Sequence, residues 1–177
     1  MIFLFATEKE AAPFRARCPH TTIEICGVGA AECAASTARI IASMRERAGG
    51  QTLILAGIAG SYSPEDVALC QVVEVVDETI AALPERFARH YTTEPHTQLR
   101  AVSSNSVNSQ GEATCSAQIE NMEGAAFMAV CQKLGVKGVQ IRAISNKVGD
   151  PLEEWRVDEA CQALATELEK LTRGKKS

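Results

Sequence analysis

The chain has 177 residues, 46% of them apolar and 23% charged, with a formal net charge of −4. That balance fills one packed core and lies far from the low-hydrophobicity, high-charge signature of disorder. It also lacks the basic footprint of a general nucleic-acid binder, and no window approaches the ~18 uninterrupted apolar residues of a membrane span.

Met1-Ile2-Phe3-Leu4-Phe5 runs into Glu8 and Glu10. A secretory signal would need a basic start and a longer apolar stretch, so a cytoplasmic chain is expected. Ile2 to Ala6 reads as a buried strand. Glu8 to Arg17 suits a short helix with Pro13 in its first turn. Thr21 to Cys26 is a β-branched run ending at Gly27-Val28-Gly29. A helix follows over Ala31 to Arg47, with Ala34, Thr37, Ala38, Ile41 and Met44 on one face and Gly49-Gly50 ending it. Thr52 to Ala56 is a further apolar strand, closing at Gly57 and Gly60.

Val67 to Val76 has the β-branched density of a strand. From Asp77 to Gln98 charges, prolines and histidines predict a long loop or mobile cover. Leu99 to Ser103 reads as one more strand, and Asn105 to Ser116 as loop. Met122 to Leu134 is a predicted helix with Ala125, Ala126, Ala129, Val130 and Leu134 inward, capped by Gly135. Val136 to Ile144 is a strand ending at Ser145-Asn146. Arg156 to Leu171 is the last helix, with Val157, Cys161, Leu164, Leu168 and Leu171 inward, before a basic tail over Arg173 to Lys176 that should fray.

Strands alternating with amphipathic helices predict one α/β domain over the whole chain, a sheet flanked by helices. Ligands in such folds bind beyond the carboxyl ends of the strands. Those ends hold Glu8 and Glu10, Gly27 to Ala30, Gly57 to Ser61, Asn105 and Ser145-Asn146. Seven cysteines, an odd number without CxxC spacing, are expected as buried small residues. His20, His90 and His96 are expected in solvent, and no metal site is predicted. Glu32 stands where the third glycine of a dinucleotide fingerprint would follow Gly27-Val28-Gly29, so no nicotinamide or flavin is expected.

Asn121-Met122-Glu123-Gly124-Ala125-Ala126 and Val139-Gln140-Ile141-Arg142-Ala143-Ile144-Ser145-Asn146 resemble the paired signatures of the nucleoside phosphorylase and nucleosidase superfamily. Gly27-Val28-Gly29 and Ala56-Gly57-Ile58-Ala59-Gly60-Ser61 fall in the order that superfamily shows, and Ala6-Thr7-Glu8-Lys9-Glu10 resembles the acidic motif of its hydrolytic branch. Ser145-Asn146, then Val148-Gly149-Asp150 and Trp155-Arg156, look most similar to the futalosine hydrolases. The resemblance covers nearly the whole chain, with a shortened middle at about 77–117.

The resemblance implies a mixed sheet flanked by helices and hydrolysis of an N-ribosidic bond, without metal or organic cofactor. Futalosine would yield dehypoxanthinyl futalosine and hypoxanthine, in menaquinone biosynthesis. Glu10 matches the carboxylate that activates water, with Glu8 its competitor; alone, either reads as an acid favoured in a first helical turn. Glu123 matches the glutamate that binds the ribose hydroxyls, and Met122 the methionine under the sugar. Gly29, Ala59 and Gly60 would let backbone approach the ligand, or serve only as tight turns. Arg142 would brace the site, and Trp155 fits either its wall or the core.

Asn146 stands where the methylthioadenosine branch has Asp, and an amide donates to O6 or N7 of hypoxanthine. Ile58 replaces a Ser of the adenine-specific branch, and acids in the first turn disfavour phosphate. The alternatives are a methylthioadenosine/S-adenosylhomocysteine or aminodeoxyfutalosine nucleosidase, and a non-catalytic nucleoside-binding module. The expected partners are a purine nucleoside and a second copy of the chain, as homodimer or higher homo-oligomer.

Overall fold

The computed structural model describes all residues except 46–49, 82, 112–116 and 175–177. The amino-terminal half supplies β1 (Ile2–Phe5), α1 (Glu8–Arg17), β2 (Thr22–Ile25), α2 (Ala30–Arg45) and β3 (Leu53–Ser61). β1 lies between β2 and β3, parallel to both. Parallel neighbours need a crossover, which α1 and α2 provide. The rest follows as β4 (Val72–Ile80), β5 (His90–Thr92), β6 (Arg100–Ser106), β7 (Ile119–Asn121), α3 (Gly124–Leu134), β8 (Gly138–Lys147) and α4 (Val157–Arg173).

The pairings make one mixed sheet that closes on itself. β3 pairs β8 in parallel and β7 antiparallel. β8 pairs β4 antiparallel, and β6 lies parallel to both β4 and β7. Five strands thus form a ring, with β1, β2 and β5 outside it.

Side-chain alternation sorts the core into layers. Phe3, Phe5, Ile54, Ala56, Ile141 and Ala143 face α1 and α4, meeting Phe14, Leu164 and Leu168. Ile2, Leu4, Leu53 and Leu55 face the other way, onto Ile41 of α2 and Phe127 and Met128 of α3. Inside the ring, Val73, Val75, Val102, Ile119 and Ile144 form a third cluster.

Several expectations need correction. Pro13 sits in the second turn of α1, not the first; the missing N–H is offset by Phe14, buried with its ring 4.7 Å from that of Phe3. β3 continues through Gly57 and Gly60 because β7 and β8 pair with that stretch. β4 begins at Val72 rather than Val67 and runs through Asp77 to Ile80, which the charges had marked as loop. Pairing with β5 and β6 holds it there. The expected cover therefore contains strands, and β7 forms between the expected loop and helix, at residues for which the sequence pattern predicts no element.

α3 starts at Gly124, leaving Met122 and Glu123 before it. Its buried face is Ala125, Phe127, Met128 and Cys131, whereas Leu134 is exposed and Ala126, Ala129 and Val130 are half-buried. β8 runs past Ile144 through Ser145 and Asn146 to Lys147. Gly49 and the tail beyond Gly174 lie outside the described residues.

Candidate active site

A cavity of about 360 Å³ opens where β1, β3, β6 and β8 end, within the range of small-molecule sites. Its wall includes Glu10, Ala59, Gly60, Met122, Glu123, Asn146 and Trp155. Gly29 and Arg142 stand behind this wall and reach it through Glu123.

Glu10 is placed by a helix start. Thr7 caps α1 and forms a reciprocal capping box with Glu10. The Glu10 carboxylate accepts from Thr7 N at 3.0 Å and Thr7 Oγ1 at 2.8 Å on Oε2, and from Ile58 N at 3.0 Å on Oε1. It is 7% exposed, so it is not the solvated first-turn acid that its position alone allows. Glu8 points away and pairs with Arg15 at 2.9 Å on the surface.

Gly57 explains how β3 fits beneath. A Cβ there would stand 2.7 Å from Arg142 Nη1 and 2.9 Å from Glu10 Oε1. Only glycine leaves room for both heads to lie over the strand.

Glu123 sits just before α3 and is buried. Its Oε1 accepts from Gly29 N at 3.0 Å, and its Oε2 lies 3.4 Å from both Nη atoms of Arg142. Arg142 is fully enclosed; its Nη2 also donates to Asn121 Oδ1 at 2.8 Å and Gln140 Oε1 at 3.3 Å. The two Nη atoms carry all of these bonds, while the buried Nε finds no partner among the described residues; breaking one of the Nη partners would be costly.

Behind Arg142 lies a carboxylate that sequence reasoning missed. Glu78 is fully buried and accepts from Gln140 Nε2 at 2.6 Å, Asn121 Nδ2 at 3.0 Å and Ser106 Oγ at 3.0 Å. Burial pushes its carboxyl above the usual range, against the pull of Gln140, Arg142, Asn121 and Ser106. Asn121 ties the network together, since its Oδ1 also accepts from Glu123 N and Gly124 N at 2.9 and 2.7 Å. The available signal was a charged pair, Asp77-Glu78, inside a β-branched run.

Asn146 closes the far side. Ser145 Oγ donates to its Oδ1 at 2.8 Å, and its Nδ2 donates to Lys147 O at 2.9 Å. These contacts fix the amide and leave its second N–H to offer to a ligand. Trp155, half-buried, donates Nε1–H to Asp150 O at 3.1 Å. Its side chain belongs to the cavity wall.

The three histidines are exposed. Cys26, Cys33, Cys131 and Cys161 are buried, Cys18 and Cys70 half-buried, and none of these is in a disulfide; Cys115 lies outside the described residues. Burial raises the Cys131 thiol to about 12 and the Cys161 thiol to about 11, the behaviour of inert rather than reactive cysteines. Among the described residues no three His, Cys, Asp or Glu side chains gather as a metal site, and no helix is long and apolar enough to cross a membrane.

Residues 91–174 match the family model of the phosphorylase superfamily. A futalosine hydrolase of Thermus thermophilus is 48% identical over 56 residues, which is 31% of this chain and 25% of that protein. The match thus spans about a quarter of that relative's length. A 5′-methylthioadenosine/S-adenosylhomocysteine nucleosidase of Helicobacter pylori superimposes with a TM-score of 0.79 at 16% identity, covering 97% of both chains. A futalosine hydrolase of Helicobacter pylori superimposes with a TM-score of 0.78 at 16% identity, covering 97% of this chain and 96% of that one. Over nearly its whole length this chain therefore has the fold of those nucleosidases, and over residues 91–174 it carries the sequence pattern of the phosphorylase superfamily.

Proposed function

We propose that this protein is an N-ribosyl hydrolase that converts futalosine and water to dehypoxanthinyl futalosine and hypoxanthine, in menaquinone biosynthesis. The observation that carries the reading is the meeting of Glu10, Glu123 and Asn146 on the wall of one cavity. Cleavage of an N-ribosidic bond asks for those three functions: a base for water, a holder for the sugar and a donor to the departing purine.

In this reading, water stands between Glu10 and C1′ of the ribose. Its oxygen bonds to C1′ while the C1′–N9 bond breaks and the bonding pair passes to the purine. The water proton goes to Glu10, and the purine anion takes a proton from solvent as it leaves as hypoxanthine, Glu10 returning its own to solvent. Glu123 accepts from the ribose hydroxyls, and its charge stabilises the cationic sugar. Gly29 and Arg142 are positioning residues that hold Glu123. Met122 lies under the sugar, Ala59 and Gly60 form the floor, and Trp155 a side wall. Asn146 donates to O6 or N7 as negative charge develops on the base. The buried Glu10 repels phosphate from the place where water attacks, which favours hydrolysis over phosphorolysis. The chemistry calls for no metal or organic cofactor.

The near-equal TM-scores of 0.79 and 0.78 leave the choice of base to the amide of Asn146, which favours a 6-oxopurine. The test is a base-release assay on futalosine, aminodeoxyfutalosine, methylthioadenosine and inosine, with and without phosphate and a chelator. Hypoxanthine release from futalosine, indifferent to both additives, is expected. Cleavage of 6-amino substrates alone would move the assignment to a methylthioadenosine/S-adenosylhomocysteine or aminodeoxyfutalosine nucleosidase. Binding without release would leave a nucleoside-binding module. The protein works in the cytoplasm as a homodimer or higher homo-oligomer. Val28 and Leu152, exposed apolar residues at the cavity rim, support a neighbouring copy there, which sedimentation velocity tests.

A further inference from the structure

Glu120 is a third carboxylate on the cavity wall, and neither the water nor the sugar role uses it. It is 5% exposed. Its hydrogen bonds come from neutral donors: Tyr62 OH reaches Oε2 at 2.8 Å and Gly111 N reaches Oε1 at 2.9 Å. Among the described residues no cation pairs with it. A buried carboxylate facing a cavity, with one acceptor direction left on each oxygen, is poised for a donor that arrives with a ligand.

Sheet register says which part of the ligand that is. Gly60 of β3 pairs with Glu120 of β7 on one side and with Asn146 of β8 on the other. Residues paired across strands share a face, and neighbouring strands lie about 4.8 Å apart. Glu120 and Asn146 therefore flank a bare glycine across about 10 Å of sheet. A Cβ on Gly60 would crowd Asn146 Nδ2 at 3.2 Å and Val148 Cγ2 at 3.1 Å. All three residues line the cavity, so a ligand there meets a carboxylate on one side of the Gly60 strand and an amide on the other.

We propose that Glu120 is a specificity-determining residue that accepts the N1–H of a 6-oxopurine, while Asn146 donates to its O6 or N7. The inference rests on the reading that a purine base occupies this cavity. The 6-oxopurine ring carries a proton on N1. A 6-aminopurine has a lone pair there, which a carboxylate repels. Glu120 and Asn146 thus select the same base by two independent contacts, one a charge-assisted acceptor and one a donor. Sites built on such pairing reject the mismatched ligand strongly, because their buried groups are left without partners.

The experiment is calorimetric titration of the wild type with hypoxanthine, 1-methylhypoxanthine and adenine, repeated on Glu120→Gln, with futalosine cleavage followed in parallel on the wild type. Hypoxanthine should bind the wild type at least about tenfold more tightly than either other base, consistent with a charge-assisted hydrogen bond. Glu120→Gln should narrow the hypoxanthine-to-adenine ratio by about tenfold, since an amide can accept from N1–H or donate to a bare N1. A role confined to holding Tyr62 and Gly111 would weaken all bases alike and leave the ratio in place. An unchanged ratio, or equal wild-type binding of 1-methylhypoxanthine and hypoxanthine, overturns the proposal. The methylated base keeps the test open should the variant fail to fold. Equal binding alongside futalosine cleavage defeats the role of Glu120 alone. Failure both to bind hypoxanthine and to cleave futalosine defeats the functional reading and the role of Glu120 with it.

Discussion

Replacing Glu10 by Gln separates the base role from the structural one, and the geometry sets both magnitudes. The carboxylate accepts from two Thr7 donors on one oxygen and from Ile58 N on the other. A glutamine can turn its carbonyl to Thr7 and keep two of these bonds. Its NH2 then faces the N–H of Ile58, donor against donor. One buried N–H left unmade costs about 1–3 kcal/mol. In a chain of this size that lowers Tm by about 2–12 °C, at about 2–4 °C per kcal/mol. Turnover should fall further, by about 10²–10⁴, because an amide takes no proton from water. Hypoxanthine affinity should stay within about tenfold, since the lost group acts on water rather than on the bound base. Glu8→Gln is the control: its exposed pair with Arg15 is worth about 0–1 kcal/mol, and its loss should leave turnover alone. The assays are base release under saturating futalosine, thermal unfolding and calorimetry on all three proteins. Turnover of Glu10→Gln within tenfold of the wild type would refute the assignment, and loss on Glu8→Gln instead would transfer the base role.

Glu123→Gln should weaken both substrate affinity and turnover, each by about 10- to 150-fold, the equivalent of ~1.5–3 kcal/mol for a charge-assisted bond. It should also lower Tm, because Arg142 loses its carboxylate inside the fold; unaltered kinetics on a ribonucleoside would remove Glu123 from the sugar site. Glu78 makes a prediction about pH. Its folded pKa is raised, so its contribution to stability is fully present below the unfolded carboxylate range and is lost as pH rises through the folded value. Glu78→Gln should flatten that decline in denaturant unfolding from acidic to alkaline pH, and an unchanged slope would show that Glu78 does not cause it. Asn146→Asp should shift kcat/KM from futalosine towards aminodeoxyfutalosine while lowering the overall rate; a fixed ratio would mean that Asn146 does not read the base.

Much of this architecture was legible in the residues themselves. Ile2–Phe5 and Leu53–Leu55 are uninterrupted apolar runs, and burial on both faces is what such runs require. The helix of Val157–Arg173 carries its apolar stripe at three- and four-residue steps, and Cys161, Leu164 and Leu168 are buried as that period demands. Glu10 and Asn146 stand at strand ends, where such sheets bind ligands, and resemblance to the nucleosidase motifs singled out Met122 and Glu123; all four lie on the wall of one cavity. Other features depended on groups distant along the chain. Asp77 to Ile80 reads as loop by charge, and becomes strand because β5 and β6 pair with it and Gln140, Asn121 and Ser106 satisfy Glu78. Glu8 and Glu10 part locally through the capping box that Thr7 forms with Glu10, and at long range because Ile58, 48 residues away, offers its N–H to Glu10. Glu120 gained its place only when β7 paired beside Gly60. Periodicity and capping act over a few residues and can be read from one segment. Whether a charge is buried, and what it faces, is decided by partners that only chain closure brings near.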